Sequence, residues 1–197
     1  MGGQDAGLKI EGLTLAEGGR WAVKNLRLSV PAGTIHVLLG ERDTGKTALL
    51  EAIAGLRREE SGTIAVGGER GDGKDGAAAR RRVAALLPRE IPPSALRVSE
   101  RLNLHAAPRW LGVGVHTEQA RAQAEARAAS FGIAPLLDVP LEALRPLERR
   151  LVELAAAFAE EPAILLLDEP TGDLGPHEAR QFLSTLRAAV EREPDSG

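Results

Sequence analysis

The chain has 197 residues, 43% hydrophobic and 27% charged, with no cysteine, and its 25 basic and 28 acidic side chains leave a formal net charge of −3. That length supports a single domain with a packed core; the near balance of charge speaks against nucleic acid as a partner, and the missing thiols exclude a disulfide framework, cysteine-ligated zinc and thiol catalysis. No apolar run approaches the roughly 20 residues of a membrane span, and Met1-Gly2-Gly3-Gln4-Asp5-Ala6 has no charged-then-apolar leader, so a soluble chain with no membrane span of its own is expected.

Leu8-Lys9-Ile10 and Leu13-Thr14-Leu15 alternate apolar with polar, as do Leu26-Arg27-Leu28-Ser29-Val30 after Trp21-Ala22-Val23. Period two marks half-exposed antiparallel strands. Ile35-His36-Val37-Leu38-Leu39 is instead an apolar run, as expected of a strand covered on both faces in a parallel core sheet.

Directly after that run, Gly40-Glu41-Arg42-Asp43-Thr44-Gly45-Lys46-Thr47 fits the phosphate-loop spacing G-x-x-x-x-G-K-[ST] without a mismatch. Each residue type has a reason. The glycines let successive N–H groups turn inward onto phosphate oxygens, Lys46 reaches the β/γ-phosphates, and the Thr47 hydroxyl ligates Mg²⁺. A helix is expected to follow, with Leu49, Ile53 and Leu56 on one face, so that strand, loop and helix N-terminus form an anion site.

Beyond it, Glu69-Arg70-Gly71-Asp72-Gly73-Lys74-Asp75-Gly76 reads as a charged, turn-rich loop. Residues 83–87 form a second two-face-buried strand. From about 99 to 145 no strand-like run occurs, and residues 117–130 read as a helix, which together suggest a small helical subdomain. Leu147, Leu151, Leu154 and Phe158 recur on one face of a helix begun by Pro146. Ile164-Leu165-Leu166-Leu167-Asp168-Glu169 then ends a buried strand in two carboxylates. Asp168 is placed to hold the Mg²⁺ shell and Glu169 to polarise an attacking water.

The order of phosphate loop, helical insert, amphipathic helix and Leu165-Leu166-Leu167-Asp168-Glu169-Pro170-Thr171 resembles the ATPase subunit of ABC transporters over nearly the whole chain. Residues 33–41 and Leu174-Gly175-Pro176-His177-Glu178-Ala179 are most similar to the branch serving simple-sugar and nucleoside importers. The resemblance implies an α/β phosphate-loop fold with a mixed sheet, a parallel core and an N-terminal antiparallel part, in one ATP-binding domain over residues 1–197. It also implies MgATP as ligand and a transmembrane permease subunit as partner. A homodimer or heterodimer of ATP-binding subunits, in the cytoplasm at the inner face of the cell membrane, would complete the assembly.

Several family motifs are altered. The signature loop Leu-Ser-Gly-Gly-Gln/Glu falls on Leu144-Arg145-Pro146-Leu147-Glu148, and the glutamine after the second core strand on Arg89. In the family, the first offers a hydroxyl and N–H groups to the γ-phosphate of the partner subunit. Pro146 removes one N–H, Leu147 adds bulk, and Arg89 cannot accept a hydrogen bond or ligate a metal. The adenine-stacking aromatic falls near Glu17, with Trp21 either its substitute or a packed strand residue. Gly175 stands where the family has Asp, and His177 follows Glu169 too closely to be the switch histidine, whose strand is missing before Gly197.

Two classes of function follow. One is an ATPase subunit that hydrolyses MgATP and drives a permease. The other is a hydrolysis-poor nucleotide-binding or regulatory half of an asymmetric pair, and the altered motifs imply weak turnover of this chain alone. A GTPase is disfavoured because no Asn-Lys-x-Asp occurs, and a small-molecule kinase because the acid-ended strand comes so late.

Overall fold

A computed structural model describes residues 6–41, 43–70, 82–87, 95–104 and 118–192. The chain divides into two compact units, Met1–Leu87 with Pro162–Asp168, and Pro88–Glu161 with Glu169–Gly197.

The first unit is built on one antiparallel hairpin, β1 (Ala6–Glu17) and β2 (Arg20–Pro31). Its turn is Gly18-Gly19, both at positive φ, the conformation that matches the twist of two strands joined by two residues. The two alternating stretches of the sequence are one continuous strand. Leu8 and Ile10 have even numbers, Leu13 and Leu15 odd, yet all four are buried. A one-residue shift in strand register sends side chains to the opposite face, and here the pairing shifts between Ile10 and Leu13, around Gly12 at φ 63. The bulge turns both stretches onto one core.

β3 (Ser61–Val66) and β4 (Glu69–Arg70) complete the sheet in the order β2-β1-β3-β4. β3 was not foreseen, although Ile64 and Val66 alternate with polar or small neighbours and are buried. Helix α1 (Lys46–Ile53) packs Ala48, Leu49, Ala52 and Ile53 against the core residues Leu8, Ile10, Leu13, Leu15, Ile64 and Val66. Leu56, expected on the same face, is exposed because the helix has already ended, with Gly55 at φ 73. Arg57 instead bridges helix and sheet. Its Nε and Nη2 donate to Glu51 Oε2 at 3.0 and 2.8 Å, its Nη1 to the Ala16 carbonyl at 3.2 Å, and its Nη2 also to Glu17 Oε1 at 3.0 Å.

A separate two-stranded parallel sheet pairs β5 (Val83–Leu86) with β6 (Ile164–Leu167), Val83 opposite Ile164 and Leu86 opposite Leu167. The expected third parallel strand over residues 35–39 does not form. Residues 34–41 have no regular structure, and Ile35, Val37, Leu38 and Leu39 are exposed, Leu39 to 87%. An apolar run registers a preference for burial, whereas a strand requires a ladder partner. Among the described residues β6 pairs with β5 alone, and the carbonyls of Gly40 and Glu41 accept from Lys46 instead.

The second unit is helical: α2 (Val98–Leu104), α3 (Glu118–Ser130), α4 (Pro146–Ala157) and α5 (Pro176–Arg192), with short 3-10 turns at Ala134–Leu136, Leu141–Ala143 and Phe158–Glu160. Leu102, Ala124, Ala128, Leu151, Leu154 and Phe182 are buried here. The rings of Phe131 and Phe158 lie 5.7 Å apart at 42°. Arg101 Nε donates to Glu153 Oε1 at 3.1 Å, tying α2 to α4. Among the described residues no helix is long and apolar enough to cross a membrane.

Candidate functional site

Among the described residues, the loop that leads into α1 turns at two left-handed positions, Asp43 at φ 59 and Gly45 at φ 85. Gly45 is also the N-cap of α1 and offers no side-chain cap, while the first turn carries no acidic residue. The first N–H groups of the helix therefore have no anionic side chain of their own beside them. That end is suited to a bound anion.

The side chains of the loop fold over it. Thr44 Oγ1 donates to the Glu41 carbonyl at 2.8 Å, and Lys46 Nζ donates to the Gly40 carbonyl at 2.8 Å and to that of Glu41. The ammonium thus ties down the carbonyls at the start of the loop. Gly45 is needed for a further reason. A Cβ there would stand 2.4 Å from the Ala22 carbonyl oxygen and 3.2 Å from Val23 Cγ2, so β2 lies directly behind the loop. Arg42 and Arg89 lie outside the described residues.

At the start of α1, Thr47 Oγ1 donates to Asp168 Oδ2 at 2.7 Å. Asp168 comes from the end of β6, its N–H donating to the Leu86 carbonyl at 3.1 Å, and is 7% exposed. A short hydroxyl-to-carboxylate bond is a strong one, and it unites the two halves of the sequence reading. The pair presents hard oxygen ligands, a donor set that suits Mg²⁺, which takes one or two protein oxygens and completes its shell with phosphate and water. Among the described residues no cluster of three or more His, Cys, Asp or Glu could hold a metal by itself.

Trp21 is 60% exposed on β2, one residue before Ala22, which excludes the packed-core alternative. Glu17 is engaged with Arg57 at 3.0 Å.

In the second unit, Glu169 occupies the left-handed region at φ 45. That conformation is uncommon for a residue with a Cβ and is held here by a turn, Gly172 N–H donating to the Glu169 carbonyl at 3.0 Å. The Glu169 side chain is exposed. The loop then runs into α5, where the Gly175 N–H donates to Glu178 Oε2 at 3.1 Å. His177, in the first turn of α5, is exposed.

The loop Leu144-Arg145-Pro146-Leu147-Glu148 begins α4 as its residue types dictate, with Pro146 at the first helical position. Glu148 reaches back to accept from the Arg145 N–H at 2.9 Å and from its Nη2 at 2.7 Å. The guanidinium and that N–H hold the Glu148 carboxyl below the usual carboxylate range. The Arg145 guanidinium is thereby engaged within its own helix.

Two linkages were not foreseen. Glu51 sits among the buried residues of α1, and a carboxylate there is a signal that a cation must meet it. Arg150 of α4 donates through Nε and Nη2 to Asp173 Oδ1 at 3.2 and 3.0 Å, a pairing between distant segments that no spacing reveals.

The ABC transporter family pattern matches residues 23–172. A ribose import ATP-binding protein of Rubrobacter xylanophilus is 28% identical over 97% of this chain and 37% of its own length. A cobalt import ATP-binding protein of Rhodobacter capsulatus is 35% identical over 92% of this chain and 66% of its own length. The chain therefore spans less than two thirds of either relative. Among solved structures, a nucleotide-free ATP-binding cassette from an ABC transporter superposes with a TM-score of 0.83 at 16% identity, covering 94% of this chain and 78% of the other.

Proposed function

Since the chain belongs to the ABC transporter family, with 150 of its residues inside the family pattern (23–172), we propose that it is the ATP-binding subunit of such a transporter. It binds MgATP and couples hydrolysis to transport through a separate membrane permease. The observation that carries the reading is the bond from Thr47 to Asp168, which brings the phosphate loop and the acid-ended strand to one place. Phosphate oxygens are received by the N–H groups around Gly45 and the start of α1, and by Lys46 once it releases the carbonyls of Gly40 and Glu41. Residues 40–47, with Arg42 among them, form the nucleotide loop.

Thr47 and Asp168 hold Mg²⁺, which when bound neutralises charge developing on the phosphates. Glu169 polarises the water that attacks the γ-phosphate. Residues 1–197 act as one ATP-binding domain with a helical part at about 99–145. The subunit works in the cytoplasm at the inner face of the membrane, as a dimer of ATP-binding subunits. Relatives named as import proteins support the importer branch.

The test is calorimetric titration with MgATP. Lys46→Ala removes a charge-assisted contact worth about 1.5–3 kcal/mol, a loss of roughly ten- to hundredfold in affinity. Equal affinity of variant and wild type would remove the loop from the nucleotide site.

A further inference from the structure

Glu169 is a non-glycine residue in a left-handed conformation, and such a conformation persists only where the surroundings impose it. Within the loop, two backbone bonds contribute, Gly172 N–H to the Glu169 carbonyl at 3.0 Å and Leu174 N–H to the Thr171 carbonyl at 3.1 Å. Among the described residues, two side chains tie the loop to helices: Glu178 of α5 accepts from the Gly175 N–H at 3.1 Å just after the turn, and Arg150 of α4 grips the turn itself, its Nε and Nη2 both donating to Asp173 Oδ1 at 3.2 and 3.0 Å. Arg150 projects from α4, a helix anchored by buried Leu151, Val152 and Leu154. A rigid element thus grips the residue that follows Gly172.

We propose that Arg150 is a positioning residue for Glu169, holding Asp173 so that the turn from Glu169 to Leu174 keeps the left-handed backbone on which the Glu169 carboxylate is presented. The proposal rests on the reading of Glu169 as the residue that polarises water. Arg150 touches no reacting atom. Its work is to make one turn conformation persist, and the pair it forms is half-exposed, with side chains 31% and 53% accessible. An ion pair of that kind shifts an equilibrium by up to about fivefold.

The test uses the full chain and two readouts. Amide hydrogen exchange at Gly172 and Leu174 reports the turn, and steady-state kinetics report its consequence. Arg150→Gln is expected to speed exchange at Gly172 by about three- to fivefold and to lower kcat by a similar factor. KM and MgATP affinity should stay within about twofold, because nothing that binds nucleotide has been touched. The exchanged pair Arg150→Glu with Asp173→Arg should restore both quantities.

A third variant separates positioning of Glu169 from general tethering. Glycine adopts positive φ without a Cβ penalty, so in a Glu169→Gly background the effect of Arg150→Gln on exchange should shrink toward nothing. Unchanged exchange at Gly172 in folded Arg150→Gln overturns the proposal, as does an undiminished effect in the Glu169→Gly background. Altered exchange with kcat unaffected overturns it as well. Should the wild type show no Lys46-dependent turnover, hydrolysis by this chain falls, while the exchange comparisons still decide whether Arg150 holds the turn.

Discussion

Thr47 and Asp168 are 121 residues apart in the chain and 2.7 Å apart in the fold, hydroxyl to carboxylate oxygen. The bond means that the first turn of α1 and the end of β6 present oxygen to the same point. Whatever occupies that point is shared by the phosphate loop and the acidic strand.

Asp168→Asn is accordingly expected to fold normally, since an amide oxygen can still accept from Thr47, yet to lose the anionic ligand. The enhancement of ATP affinity by Mg²⁺ should fall about tenfold, in line with loss of one charge-assisted contact. Titrations with and without Mg²⁺ measure it. A variant with the full wild-type enhancement would show that the metal is held elsewhere.

Glu169→Gln should leave MgATP affinity within about twofold and reduce turnover by ~10² or more, the share of a positioned general base. Phosphate release from purified chain, with Lys46→Ala as background, reads the effect. Turnover equal to wild type would take the catalytic role away from Glu169.

Arg57→Ala should destabilise the first unit by about 1–3 kcal/mol, because the guanidinium makes two of the hydrogen bonds to Glu51 while also holding the end of β1. Glu51 is 7% exposed, so replacing both partners with methionine should cost less than removing Arg57 alone. Denaturant unfolding of the three proteins gives the comparison. A double variant weaker than Arg57→Ala would contradict this account.

The Arg145 side chain and N–H hold the Glu148 carboxyl below its ordinary value of 4.5. A carboxyl with a lower pKa in the folded state stabilises the fold above its unfolded pKa, and that stabilisation disappears as pH falls through the folded value. Glu148→Gln should therefore lower Tm near neutral pH and approach wild type in the window below about 4.5. The observable is the difference in Tm across an acid titration, which should narrow. A difference independent of pH would mean that the charge of Glu148 contributes nothing.

The phosphate loop was legible because its chemistry is local: it lies within eight consecutive residues, and the fixed types Gly40, Gly45, Lys46 and Thr47 are each demanded by phosphate or its metal. Asp168 was legible for a different reason: carboxylates often end strands, and the apolar run of residues 164–167 becomes a specific signal only beside an intact phosphate loop. Ile35-His36-Val37-Leu38-Leu39 misled, since hydrophobicity records what a segment would gain by burial and says nothing of a ladder partner. β3 carries little signal because its alternation is weak and it contains Gly62, which sits where a Cβ would come within 2.6 Å of the Gly12 carbonyl. The Arg150 to Asp173 pair had no signal at all, for charges on two polar surfaces become partners only once helix and loop have been placed.

Gly45 carries two burdens at once. It shapes the loop that receives phosphate, and it leaves room for the Ala22 carbonyl, which a Cβ would approach to 2.4 Å. In a duplicated copy released from selection for nucleotide, this glycine would still be retained by the need to fold, as would the register of β2 behind it. Lys46, whose ammonium donates to the Gly40 and Glu41 carbonyls of its own loop, carries a lighter structural demand than a backbone clash and would drift first. The record of a lost activity in relatives of this chain would accordingly be written at the lysine, inside a loop whose glycine remained intact.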